Sequence, residues 1–378
     1  LRNLAAKARV DSGDMSNDDV RAWVRDYYGR ELSGSADLKT NACCAAGAPP
    51  AYLRALLGNV HDDVSARFYG CGFPIPEGIV GKTVVDLGCG TGRDVYLLAQ
   101  LAGETGHVHG VDMTAEQLEV ASSTARWHAE RFGFGKPNVS FHQGYIEDLR
   151  ALPIDAGSVD VVVSNCVVNL SPRKDLVLDE TARVLRDGGE MYFSDVFADR
   201  RLPEDVARDP LLYSECLGGA LYLPDFLAMA RTRGFPDPRV VSIAPIEIRN
   251  DDIAAKIGAA RFYSVTLRLF KLPLEERCED YGQLATYRGT LPHVGALFTL
   301  DENHVFEARR PERVCGNTAD MLAATRFADH FDVVGDKSEH FGAFDCSGTM
   351  ASTLYGQART TGAPSPTSNA NTSAGTCC

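Results

Sequence analysis

The sequence predicts an α/β fold, a parallel sheet covered on both faces by helices and followed by a small β-rich appendage. Three observations carry this expectation. Apolar runs at 83–88, 107–112, 139–144, 159–165 and 189–196, bounded by Gly, Asp or Asn, read as strands. Helical spacing at 92–102, 114–132 and 174–186 falls between them, and such alternation calls for parallel strands with helical crossovers. Beyond residue 272 the pattern changes to short strands near 283–288, 296–300 and 304–308, then a short helix from about Thr318.

The remaining elements follow in order. Residues 16–32 read as a helix that Ser16 caps, with Val20, Trp23, Val24 and Tyr27 at helical spacing. A loop rich in Ala, Pro and Cys spans 41–50. The helix from 114 carries a capping-box signature, Thr114 with Gln117 three positions on. A helical zone covers 203–233, then strands are expected at 239–248 and 264–271. Trp23 and Trp127, on apolar helical faces, are expected in the core. The stretch 346–378 is rich in Ser, Thr, Gly and Ala, ends in Cys377-Cys378, and cannot offset its ordering entropy, so disorder is expected. The division that results is an N-terminal helix and cysteine loop (1–50), a nucleotide-type domain (51–200), an insertion with closing strands (201–272), a β-rich domain (273–345) and a tail (346–378).

The chain of 378 residues is long enough for one large domain and a smaller companion. Its formal net charge of -13 disfavours a phosphate-backbone partner, which needs clustered Lys and Arg, so no nucleic acid is expected. No apolar run approaches the ~20 residues that span a bilayer, and the opening residues lack the apolar stretch of a secretory signal. A cytoplasmic monomer with no membrane contact is the expectation. The odd count of eleven cysteines, irregularly spaced, argues against a structural disulfide framework and raises metal or metalloid binding, or redox chemistry. The nine histidines show no zinc spacing.

Residues 86–92 read Asp-Leu-Gly-Cys-Gly-Thr-Gly, after an apolar strand and before a helix. Gly88, Gly90 and Gly92 let the backbone turn tightly and approach a ligand, at the place where a parallel sheet forms a nucleotide-type crevice. The dinucleotide fingerprint needs a glycine where this chain has Arg93, which disfavours NAD. Asp112 ends the second strand, where it can accept from two ribose hydroxyls. Gly-Tyr-Ile-Glu (144–147) ends the third and puts Glu147 near an adenine; Ser-Asn-Cys (164–166) ends the fourth, beneath the reactive end of the cofactor. Cys89 fills an unconstrained position in the loop.

Loop and acids in this order resemble the class I S-adenosylmethionine methyltransferases, whose fold is a Rossmann-like doubly wound sheet. The resemblance implies S-adenosylmethionine as cofactor, bound by Tyr69, Asp86, Gly88, Gly90, Gly92, Asp112, Met113, Ile146, Glu147 and Asn165. Asp86 would be the anion beside the sulfonium, and Tyr69 could offer it a cation–π face.

Four cysteines stand out by their surroundings: Cys43 in Leu-Lys-Thr-Asn-Ala-Cys (38–43), Cys71 in Tyr-Gly-Cys-Gly (69–72), Cys166 in Ser-Asn-Cys-Val-Val-Asn-Leu (164–170), and Cys216 in Glu-Cys-Leu-Gly-Gly-Ala-Leu-Tyr (215–222). A soft thiolate at the end of the fourth strand favours a soft acceptor. With the cofactor motifs, with Arg-Val-Leu (183–185) and with Tyr-Phe-Ser-Asp-Val (192–196), these segments resemble the arsenic(III) methyltransferases from about Leu38 to Lys271. That family implies trivalent arsenic, as arsenite or methylarsenite delivered as thiol conjugates, bound by Cys71, Cys166 and Cys216. It further implies that Cys43 pairs with Cys71 in a redox step, and that glutathione or thioredoxin is the reductant; the adjacent Cys44, which is not part of the family's pattern, is an alternative to Cys43. Cys278, Cys315 and Cys346 are expected to be small buried hydrophobes, with Cys346 exposed if its segment is flexible.

Three rivals compete. A carbon or oxygen methyltransferase for a lipid-like or quinone acceptor would leave the cysteines as bystanders. A structural zinc site of Cys43, Cys71, Cys166 and Cys216 lacks the usual paired knuckles. A protein that only sequesters or senses arsenic would have no use for the cofactor loop.

Overall fold

The computed structural model describes residues 16–32, 37–40, 42 and 49–346. The expectations placed on Cys43, Cys44 and the tail with Cys377-Cys378 lie outside the described residues. Seven strands make the main sheet: β1 (Thr83–Leu87), β2 (His107–Asp112), β3 (Val139–Gln143), β4 (Val159–Asn165), β5 (Leu185–Ala198), β6 (Arg239–Ile246) and β7 (Phe262–Phe270). Their order is β3-β2-β1-β4-β5-β7-β6; β1 to β5 run parallel, and β7 is antiparallel to both neighbours. All seven residues of β4 are buried, as expected of a strand covered on both faces. Chain order reverses between β1 and β4, so a crevice opens at their carboxyl ends.

The helices are α1 (Asn17–Asp26), α2 (Ala51–Leu57), α3 (Asp62–Ser65), α4 (Arg93–Ala102), α5 (Ala115–Ser123), α6 (Ala125–Phe132), α7 (Lys174–Val184), α8 (Glu204–Ala207), α9 (Pro210–Ser214), α10 (Leu223–Thr232), α11 (Asp251–Ile257) and α12 (Gly316–Ala323). Ser16 caps α1 reciprocally with Asp19, and the helix passes into a π turn over Tyr27–Glu31.

Several expectations are corrected. The helix expected over 114–132 breaks at Thr124 into α5 and α6. Thr114 makes no side-chain cap; Asp112 Oδ1 instead accepts its N–H at 2.8 Å, and Gln117 donates to the Tyr28 carbonyl at 3.1 Å. A strand-end carboxylate two residues upstream takes the N–H that the Gln117 side chain would have accepted in a capping box. The zone at 203–233 splits into α8, α9 and α10. Pro210 opens α9, and a Cβ on Gly218 would lie 2.8 Å from the Tyr213 nitrogen, so the segment between α9 and α10 folds back as a tight turn. Trp127 is 41% exposed and is not a core residue; its ring lies edge-on to His61 and His128.

Among the described residues the C-terminal part holds three small sheets: β8 (Glu279–Asp280) with β14 (Gly342–Ala343), β9 (Leu284–Tyr287) between β12 (Pro311–Arg313) and β13 (Phe331–Val334), and β10 (Leu297–Asp301) with β11 (His304–Glu307). Tyr287, Phe298, Phe306, Phe327 and Phe331 fill its core together with Phe270 from β7. Arg268 on β7 is wholly buried between Glu77 at 2.6 Å and Glu190 at 3.6 Å, and Arg326, beyond α12, pairs with Glu190 and donates to the Glu77 carbonyl. Breaking one member of such a network leaves a buried charge without its partner, which fastens this part to the sheet.

Candidate active site

At the carboxyl ends of β1, β2 and β4 lies a cleft whose free volume, open mouth included, is about 1020 Å³. Of the residues expected to hold the cofactor, Tyr69, Asp86, Gly88, Gly90, Asp112, Met113, Ile146, Glu147 and Asn165 line it. Gly92 does not; it starts α4 with φ 88°, where a side chain would press on Phe141. Gly88 has φ 75°, and a Cβ there would overlap Val167. A Cβ on Gly90 (φ 54°) would meet nothing within 4 Å, so here the loop backbone faces open space.

Asp112 receives the Gly90 N–H on Oδ2 at 2.9 Å and the Thr114 N–H on Oδ1 at 2.8 Å. Each oxygen keeps a lone pair for a hydroxyl donor. Glu147 accepts from Ser171 Oγ at 2.8 Å, and Arg21 of α1 lies 3.5 Å from it. Asp86 is buried, and burial, then the nearby Asp94 and Asp112, push its carboxyl well above the usual range. A ligand cation in the cleft would relieve that cost. The Tyr69 hydroxyl is buried without a partner among the described residues, and its ring packs edge-on against Tyr28. These features fit a cationic nucleoside such as S-adenosylmethionine: acids for a sulfonium and an ammonium, Asp112 for a ribose, open backbone at Gly90. Cys89, also on the cleft wall, is driven by burial, then by Asp112 and Asp86, toward the protonated thiol, in keeping with a filling role.

Three cysteines converge beside this cleft. Cys166 follows β4 directly, lines the cleft and holds φ 59°, a conformation uncommon for any residue but glycine. Its N–H donates to the Ser194 carbonyl at 2.8 Å. Cys71 is disulfide-bonded to Cys166, with 5.9 Å between their Cα atoms. The Asn165 side chain sets up this approach, accepting the Gly72 N–H at 3.2 Å while donating to the Gly72 carbonyl at 3.0 Å and to Asp94 at 2.9 Å. Glycine on each side of Cys71 is required by space, because a Cβ at 70 would run into Asn165 and one at 72 into Ser194. Ser264 Oγ donates to the Cys71 carbonyl at 2.9 Å.

Cys216 is fully buried in the same apolar cluster and also has a positive φ, 63°. Its Sγ lies 3.5 Å from the Cys166 carbonyl and 3.8 Å from the Tyr28 hydroxyl. Asn169 donates to its carbonyl at 2.8 Å. The three cysteines expected to share a ligand thus pack together. The expected pairing of Cys71 with Cys43 has no counterpart among the described residues; Cys71 is bonded to Cys166, which the Asn165–Gly72 pairing brings alongside it.

Sequence reasoning missed Glu215. Buried beside Cys216, it accepts from the Tyr27 hydroxyl, from Lys39 N at 2.6 Å, and from Thr40 N and Oγ1 at 2.8 and 2.7 Å. It thereby anchors the segment that leads to Cys43. The available signal was an ionisable side chain placed next to a cysteine in Glu-Cys-Leu-Gly-Gly.

Comparison with known proteins identifies the family. Residues 80–247 match the family model of a methyltransferase domain, and residues 281–378 that of the arsenite methyltransferase C-terminal domain. The arsenite methyltransferase of Aquipseudomonas alcaligenes is 57% identical over 86% of this chain and 94% of its own length. That of Homo sapiens is 43% identical over 84% of this chain and 85% of its own. The crystal structure of an arsenic (III) S-adenosylmethionine methyltransferase from Chlamydomonas reinhardtii superposes with a TM-score of 0.77 at 50% identity, covering 79% of this chain and 100% of that one. Identity of this order across most of both chains does not favour a quinone or lipid methyltransferase: the chain belongs to the arsenite methyltransferase family.

Proposed function

We propose that the chain methylates trivalent arsenic held by the thiolates of Cys71, Cys166 and Cys216, with arsenite and methylarsenite reaching it as thiol conjugates. The observation that carries this reading is Cys166, a cysteine that lines the cofactor cleft and shares one buried cluster with Cys71 and Cys216. S-adenosylmethionine, when bound, supplies a sulfonium-activated methyl group and departs as a neutral thioether. Asp112 and Glu147 hold its nucleoside, Asp86 faces its positive charge, and Tyr69 adds an aromatic face.

The residues of the chain then have three tasks. Reduced Cys71, Cys166 and Cys216 bind arsenic as a three-coordinate pyramid with one lone pair, a geometry suited to soft sulfur donors. Holding that lone pair toward the methyl turns displacement into a matter of positioning, so no general base is needed. Carbon bonds to arsenic with the arsenic lone pair, and arsenic rises formally from the trivalent to the pentavalent state. Two thiols return two electrons by closing a disulfide, restoring trivalency. Cys71 with Cys166 is such a pair, and Cys43 is a further thiol for exchange with Cys71. An external thiol of the glutathione or thioredoxin class then reduces the disulfide by exchange. We take the chain to act as a monomer in the cytoplasm; no helix among the described residues is long and apolar enough to cross a membrane.

The test is to incubate the reduced protein with arsenite, a thiol and methyl-labelled S-adenosylmethionine. Label is expected in mono- and higher methylated arsenicals. Cofactor binding with no label in arsenic would contradict the reading.

A further inference from the structure

The expectation that Cys278, Cys315 and Cys346 are unrelated buried hydrophobes is not met. Their sulfur atoms all lie within 4.8 Å of one another, and none is in a disulfide. Three separate elements bring them there. Antiparallel pairing of Gly342 with Asp280 and of Ala343 with Glu279 sets β14 against β8, and Phe344 N–H donates to the Cys278 carbonyl at 2.8 Å. Cys278, just before β8, and Cys346, just after β14, therefore come side by side. Cys315 is the N-cap residue of α12, and Thr318 N–H donates to its sulfur at 3.5 Å. Cys315 is buried while the other two are half-buried, so the cluster is open on one side. Nothing in the methyl-transfer chemistry uses it.

We propose that Cys278, Cys315 and Cys346 form a second site for trivalent arsenic, outside the cofactor cleft. The coordination number favours this ion. Among the described residues no fourth His, Cys, Asp or Glu donor joins the cluster, whereas structural zinc wants four ligands. Charge points the same way. Arg239 lies 3.8 Å from the Cys315 sulfur but is already matched by Asp237 at 2.6 Å and Asp301 at 2.9 Å. Zinc on three thiolates would add a net negative charge beside one arginine already outnumbered by two carboxylates, while an arsenic trithiolate is neutral and adds none. Binding balances as an exchange: three arsenic–oxygen bonds of arsenious acid break, three arsenic–sulfur bonds form, and the three thiol protons leave with the three hydroxyls as water. Arsenic stays trivalent throughout. The proposal rests on the chain meeting arsenite as its substrate, yet it can fail separately from that reading.

The test loads the full chain, reduced and desalted, with excess arsenite and measures bound arsenic per chain by mass spectrometry of the element. Cys315→Ser is expected to lose one equivalent relative to the unsubstituted chain. Cys216→Ser should lose a different one, and the double variant should lose both. Cys346→Ser, which alters a half-buried residue and spares the helix cap, should repeat the loss if Cys315→Ser folds poorly. Arsenic content unchanged by both Cys315→Ser and Cys346→Ser would overturn the proposal, as would stoichiometric zinc in the purified chain that disappears in those variants. Loss confined to Cys216→Ser would likewise overturn it while leaving the active-site reading standing.

Discussion

Two cysteine trios in one chain are held by different means. Cys71, Cys166 and Cys216 are gathered by the main sheet and its loops, and two of them sit at positive φ, 59° and 63°. Cys278, Cys315 and Cys346 are gathered by a strand pair and a helix cap, and none of them has a positive φ. A left-handed backbone at a residue other than glycine costs about 1–3 kcal/mol and persists only where its surroundings impose it. Hydrogen bonds hold the backbone of both residues here: Cys166 N–H donates to the Ser194 carbonyl, and Asn169 donates to the Cys216 carbonyl. Strain is thus spent where sulfur must be aimed, whereas a site that has only to grip an ion does with ordinary backbone.

Ways to break this contrast can be ranked by expected effect. Cys166→Ser should lower arsenite methylation by about a thousandfold while leaving S-adenosylmethionine affinity nearly unchanged, because only the aiming of the acceptor is lost. Titration calorimetry beside a turnover assay separates the two; activity within tenfold of the unsubstituted chain would count against the aiming role. Next, Gly72→Ala forces a methyl group into Ser194 and should destabilise the fold by about 1–3 kcal/mol, as overpacking does, while shifting Cys71 away from Cys166. Denaturant unfolding measures the first effect, and intact-mass detection of the disulfide the second. Asp112→Asn replaces an acceptor with a group that is half donor, against an N–H that already points at it, and should weaken cofactor binding by about ten- to a hundredfold.

The smallest effect lies away from both trios and checks that the scaffold behaves ordinarily. Burial lowers the His128 pKa to about 4; its ring accepts the His61 N–H at 3.1 Å and pairs with the Thr124 carbonyl at 2.9 Å. A histidine depressed on folding is protonated first in the unfolded chain. Stability is then full above about pH 6.5 and falls as pH drops toward 4, by about 3 kcal/mol from this residue. His128→Gln should flatten that limb in unfolding curves taken across the window; an unaltered slope would show that His128 is not its source.

The two trios also differ in how far the sequence disclosed them. β1 to β4 were legible because apolar runs end on Gly, Asp or Asn, and the cofactor acids follow from their places at strand ends. Cys166 was legible for the same reason. Its neighbours needed a resemblance to a known family, since no local pattern says that residue 71 meets residue 166. The second trio was invisible because β8 and β14 are two residues each and pair across most of the C-terminal domain, too short for any periodicity to mark. Thr124 and the Asp112–Thr114 contact misled for a related reason: capping and helix continuity are decided by competition among neighbours that spacing alone does not rank.

The central claim, that three converging sulfurs hold the acceptor at the cleft, is tested most directly by arsenic X-ray absorption. The sample is the reduced Cys315→Ser chain with one equivalent of arsenite, so that the cleft trio is read without the second site. Three sulfur neighbours and no oxygen are expected, giving way to the all-oxygen surroundings of free arsenite when Cys216→Ser is added. A sulfur count that Cys216→Ser leaves unchanged would contradict the account.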